Sequence, residues 1–170
     1  MLQTPAMQIT RTHTFDHPIE RCWEMFHDPD SHVAKFEAMG HRDLEVIEQE
    51  RTDTSLRLVI ERMVDVEVPG FAKKVIKPTN LLRSTDVWSD AGDGTYGGTF
   101  DLETKGVPIE TRGRTRLTAD GDDRTTYEVT IDLKVKVPLI GGKIADFSKG
   151  IIDKQLDQEF QLGDAWLAEH

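Results

Sequence analysis

Arg11 and His13 stand at alternate positions between Ile9 and Phe15, so on an extended chain all four share one face. If that face is buried, a guanidinium and an imidazole enter the interior, where charge is costly unless paired and where such groups often mark a site. If it lies near the end of a sheet, both tips reach water and the pair has no chemical task. Gln155 and Glu159 pose the same question on a helix: inside a long apolar pattern they either orient the polar head of a ligand or mark the border between wet and dry faces. Together, His13 and Glu159 would be the acid and base of an enzyme. The segment His27-Asp28-Pro29-Asp30-Ser31-His32 holds two histidines and two aspartates within six residues. Metal ligands must converge in space, and Asp-Pro-Asp is already explained as a break between helices with Asp30 capping the second, so no metal is expected. Cys22 falls on an apolar helix face with Ile19, Trp23 and Phe26 and reads as core rather than nucleophile. No Gly-x-Ser-x-Gly elbow, His-Glu-x-x-His helix, Cys-x-x-Cys pair or phosphate loop is present. No residue is therefore assigned as catalytic, and no cofactor is implied.

The elements that would position these residues follow from periodicity. Threonines alternate with Ile9, Arg11, His13 and Phe15 from Met7 to Phe15, which predicts a strand. Asp16 or His17 as a cap and Pro18 in the first turn open a short helix, and a second short helix follows up to Gly40. From Leu44 the period changes to two. Strands are expected over Leu44–Gln49, Ser55–Val66, Leu81–Ser89, Thr95–Thr104, Ile109–Ala119 and Thr126–Val137. The last is the clearest, with Tyr127, Val129, Ile131, Leu133, Val135 and Val137 opposed to Glu128, Thr130, Asp132, Lys134 and Lys136. Gly97-Gly98 and Gly113 fall inside strands, where bulges or sharp coiling are expected. From about Lys143 apolar residues recur in steps of three and four, predicting one amphipathic helix roughly 40 Å long, enough to cross a seven-stranded sheet.

Composition sets outer bounds. At 170 residues, residues 5–170 suit one domain. Acidic residues outnumber basic ones 31 to 21, which argues against a phosphate-binding surface and so against nucleic acid. No apolar run approaches the roughly 20 residues of a membrane span. Met1–Pro5 lacks a charged start followed by an apolar stretch, and Cys22 is the one cysteine, which together read as cytoplasmic. Oligomeric state is not legible.

The order strand, two short helices, six strands, long helix resembles the START-like superfamily, also called SRPBCC or Bet v 1-like. The stretch from Thr14-Phe15-Asp16-His17-Pro18-Ile19 through Trp23-Glu24-Met25-Phe26-His27-Asp28 is similar to that superfamily's opening. Val68-Pro69-Gly70-Phe71 and Val135-Lys136-Val137-Pro138-Leu139-Ile140-Gly141-Gly142-Lys143-Ile144 are similar to an uncharacterised, mainly actinobacterial branch. The resemblance implies an α+β helix-grip fold: a strongly curved antiparallel sheet of about seven strands (β-α-α-β6-α) wrapped around a long C-terminal helix.

A cylinder cannot fill a curved sheet, so the space between becomes a cavity unless large side chains fill it. Trp88, Phe100, Ile131, Leu133, Ile144, Phe147 and Ile151 are the expected apolar lining, with Gln155 and Glu159 as polar groups. The segment Pro69–Pro78 interleaves Phe71, Ala72, Val75 and Ile76 with Lys73, Lys74 and Lys77. It reads either as a border of the cavity mouth with Phe71 and Ile76 as its gate, or as a loop that packs its apolar side on the core and solvates its lysines; the protein would be capable of transient membrane contact. The expected function is binding or carriage of a small hydrophobic molecule, lipid or polyketide-like. The alternatives are a cyclase- or hydrolase-type enzyme and a pocket-poor protein-interaction module.

Overall fold

The computed structural model describes residues 6–170. Met1–Pro5, including the expected domain boundary at Pro5 and the stretch read as lacking a secretory start, lie outside the described residues. The chain runs β1 (Ala6–Phe15), α1 (Ile19–His27), α2 (Pro29–Ala38), β2 (Arg42–Thr52), β3 (Ser55–Asp65), β4 (Thr79–Asp90), β5 (Tyr96–Thr104), β6 (Ile109–Ala119), β7 (Thr125–Val135) and α3 (Gly141–Glu169), with a 3-10 turn at Gly70–Ala72. The seven strands form one antiparallel sheet in the order β1-β7-β6-β5-β4-β3-β2. The α+β helix-grip arrangement is the observed one: α3, 29 residues long, lies in the concave face of the sheet.

Three details depart from expectation. The cap of α2 is Asp28, not Asp30: its Oδ1 accepts the Asp30 N–H at 3.0 Å while Pro29, which has no N–H to satisfy, fills the first turn. Neither Asp16 nor His17 caps α1, whose N-cap is Pro18 with no side-chain bond. The glycines in β5 and β6 are likewise not bulges. Pairing across β4, β5 and β6 is continuous, and the register shifts fall at the β2 edge, between Arg42 and Glu45 and between Val46 and Glu48. A side chain on Gly98 would collide with the Val87 carbonyl, and one on Gly113 with the Phe100 ring. These positions are glycine because something approaches the backbone closely. At the β2 edge, the bulges and charges of Arg42, Glu48 and Arg51 discourage pairing with another chain.

The inward parity of each strand decides what meets α3. β3 turns Leu56, Leu58, Ile60 and Arg62 inward, and β4 turns Asn80, Ser84, Asp86 and Trp88. Apolar side chains gather in three clusters. One joins Phe15, Cys22, Phe26, Leu58, Trp88 and Leu167 under α1 and the end of α3. A second joins Ala72, Ile76, Leu133, Val135 and Ile144 at the opposite end. The third, Ile9, Val129, Ile131, Leu156 and Phe160, holds the middle of α3 on β1 and β7. No helix among the described residues is long and apolar enough to cross a membrane.

Candidate functional site

The polar groups expected on β1 do not reach the interior. Arg11 bonds to Asp153 at 3.3 Å and to Asp157, and His13 Nε2 lies 2.9 Å from Asp164 Oδ1, with its ring stacked on Phe160. They close the seam between β1 and α3 against carboxylates that the helix presents. Residues 27–32 are likewise occupied locally. His27 Nε2 donates to the carbonyls of Thr52 and Ser55 (2.6 and 3.1 Å), and His32 Nε2 donates to that of Phe26 (2.8 Å). No metal-binding group of three converges among the described residues. Cys22 is fully buried, and burial pushes its thiol up, away from the reactive thiolate.

Between the three clusters lies a cavity of about 120 Å³, bounded by β3 to β7, α2 and α3. Of the expected lining, Trp88, Phe100, Ile131, Gln155 and Glu159 border it. Leu133 and Ile144 instead pack the far cluster, Phe147 leans on that cluster, and Ile151 is half-buried on the helix outside the cavity. Ile76 is buried in the same far cluster, while Phe71 is 44% exposed and meets Phe147 edge-on at 6.4 Å. Neither Phe71 nor Ile76 lines this cavity.

The cavity wall has a polar sector that the sequence reading did not single out. Arg62 is only 5% exposed. Its Nε donates to His41 Nδ1 at 3.0 Å, its Nη1 to Ser84 Oγ at 2.7 Å, and its guanidinium lies 3.7 Å over the Phe36 ring. Burial pushes its pKa down from the ordinary value, with Asp86 and Glu159 pulling the other way. Asp86 stands in a cross-strand row between Leu58 and Phe100. Burial pushes its carboxyl up from the usual carboxylate range, against the opposing pull of Lys35 and Arg62. Burial also raises the Tyr127 hydroxyl well above its ordinary value, so it stays a neutral donor. Thr115 Oγ1, buried in the β6 wall, has no hydrogen-bond partner among the described residues. The signal for Arg62 and Asp86 was parity: each shares the inward face of a strand with Leu58 or Trp88.

A second chamber of about 300 Å³ opens between α2 and α3 and shares Phe26, His32, Lys35, Tyr127 and Glu159 with the first. The Lys35–Glu159 ion pair, 3.3 Å across the two helices, borders both. Phe100 can lie against the inner wall only because residue 113 has no Cβ. Gly113→Ala is therefore expected to drive the Phe100 ring into the inner chamber and weaken uptake of a one-ring probe about tenfold, with a stability loss of about 1–3 kcal/mol. Calorimetric titration with a melting curve checks this. Unchanged uptake would place the probe elsewhere.

Residues 10–167 match the family described as "Protein of unknown function (DUF2505)". No curated protein matches the chain. Among solved structures, the Zhui aromatase/cyclase from Streptomyces sp. R1128 is 14% identical over 96% of this chain and 94% of that one, with a TM-score of 0.68. Norcoclaurine synthase from Thalictrum flavum, in complex with dopamine and hydroxybenzaldehyde, is 14% identical over 94% and 87%, with a TM-score of 0.58. Ara h 8.0201 is 13% identical over 98% and 100%, with a TM-score of 0.64. At such identities the likeness is one of fold, the Bet v 1-like helix grip.

Proposed function

The chain belongs to the DUF2505 family, and we propose that it binds a small, mostly apolar molecule with a polar head in the chamber beneath α3. The observation that carries this reading is the inner chamber itself, where the apolar walls Trp88, Phe100 and Ile131 face Ser84, Asp86 and the unpartnered Thr115 hydroxyl. Sites for small molecules combine an apolar lining with a few placed polar groups in this way. Size narrows the ligand. A cavity of about 150 Å³ holds benzene, so an inner chamber of 120 Å³ takes at most one ring and leaves no room for an acyl chain. A longer, lipid- or polyketide-like body would extend into the outer chamber. The comparison proteins named as a cyclase and a synthase on this fold are in keeping with small organic ligands. Residues 5–170 act as one unit in this reading, in the cytoplasm, and the actinobacterial placement rests on the Val68–Phe71 and Val135–Ile144 segments.

One observation favours a second reading, acid–base chemistry on the bound molecule. His13 is turned to Asp164 and does not meet Glu159. Asp86, held toward its protonated form beside the chamber, would be the acid instead.

The entrance in this proposal lies between α2 and α3, with Lys35–Glu159 as its latch and Phe71 and Ile76 closing the opposite end. A partly exposed pair of this kind is worth up to about 1 kcal/mol, so Lys35→Met should speed probe exchange up to about fivefold. Stopped-flow displacement of 1-aminonaphthalene reads this. Exchange at the native rate would move the entrance elsewhere.

Native mass spectrometry of freshly purified protein tests the function. An adduct released on denaturation is expected. Bare polypeptide mass, together with no uptake of 1-aminonaphthalene, would contradict the reading.

A further inference from the structure

Arg62 raises a question that packing does not answer. A guanidinium removed from water is costly unless a counter-charge meets it. Among the described residues no carboxylate lies within 4 Å of it. His41 and Ser84 take Nε and Nη1, and Phe36 covers one face, so the plane of the fork is fixed while the Nη2 edge has no acceptor among the described residues. The other charged groups on the chamber do not supply the missing anion. Glu159, on α3, is paired with Lys35, on α2. Asp86, on β4, is set in an apolar row with Leu58 and Phe100, and burial favours its neutral form. His41 accepts from Arg62 at Nδ1, and burial together with Arg62 and Lys35 pushes it down to about 4, so it is neutral. The chamber thus carries the Lys35–Glu159 pair and, with no carboxylate within 4 Å of it among the described residues, the Arg62 guanidinium.

Resting on the binding function proposed above, we infer that the ligand is a small aromatic acid, its carboxylate set against the Nη2 edge of Arg62 and its ring among Trp88, Phe100 and Ile131. A rigid planar fork matches a carboxylate in two parallel hydrogen bonds, which a lysine at the same place would not do. His41 and Ser84 act as positioning residues that hold the fork toward the chamber. The Asp86 carboxyl, pushed up by burial, and the Thr115 hydroxyl, both on the chamber wall, face the ligand beside it.

Fluorine NMR titration of the full chain with 4-fluorobenzoate and with 4-fluorobenzamide tests this, because the two probes share shape and differ in charge. The benzoate is expected to bind about tenfold or more tightly than the amide, since hydrogen bonds to a charged partner are the stronger class. Arg62→Met should remove the preference, while Arg62→Lys should keep part of it. The wild-type comparison needs no variant to fold. Equal binding of the two probes to the wild type, or a preference that survives in Arg62→Met, would overturn the acid inference while leaving the chamber as a binding site. Binding of neither probe would overturn both.

Discussion

A chain cut after Gly150 is expected not to fold. It would lose Leu156, Phe160 and Leu167, each 5% exposed or less, together with the half-buried Ile152 and Trp166. Burying a large apolar side chain contributes about 1.5–3 kcal/mol, and the faces left bare on Val129, Ile131 and Phe15 add to the loss. The sum exceeds the roughly 5–15 kcal/mol that holds a typical domain together. Arg11 and His13 would also lose the carboxylates of Asp153, Asp157 and Asp164. The truncated chain should show no cooperative melting transition by tryptophan fluorescence or far-UV dichroism. A soluble fragment that melts cooperatively would mean that the sheet closes without the helix.

Acid should destabilise the protein well before its carboxylates titrate. Burial depresses His32 and His41 to about 4, from an ordinary value of 6.5. The unfolded chain therefore binds more protons than the native one between those values. The stability that depends on neutral histidines is complete above pH 6.5 and is lost as the pH falls toward 4. For the fully buried His32 alone the loss approaches about 3 kcal/mol. Asp86 acts in the opposite sense: with its native pKa raised, its contribution is present at low pH and fades as the pH rises through that raised value. Two histidines against one carboxyl leave the acid side weaker. Urea midpoints measured from neutral pH down to about 4 should fall steadily, and His32→Gln should flatten the slope. Midpoints that stay level would show that the His32 ring is not held neutral against the Phe26 carbonyl.

How much of this was legible follows from which forces are local. Alternation placed β6 at Ile109–Ala119, the span the structure has, because turn residues bound it on both sides. β2 runs beyond the expected Leu44–Gln49 to Arg42–Thr52, since its length is set by pairing with β3 and not by its own pattern. The apolar steps of α3 identified its buried face but not which stretch of that face meets which cluster. Ile144 and Phe147 therefore belong with the far cluster rather than with the chamber, as does Leu133 on β7. Arg62 and Asp86 were visible only by carrying strand parity past charged residues that ordinarily point outward. The void itself depends on how far the sheet curls, and on Phe100 lying over Gly113, which no local pattern encodes.

In the proposed binding mode a ligand sits under α3 between Trp88, Phe100 and Ile131. Intermolecular NOEs from a bound one-ring acid such as 4-fluorobenzoate test it most directly. Cross-peaks are expected from the probe ring to the Ile131 and Leu156 methyls and to the Trp88 indole, with shifts at Arg62 and Ser84. Cross-peaks confined to the exposed Phe71 and Leu139, with the resonances of Ile131 and Trp88 unmoved, would contradict it.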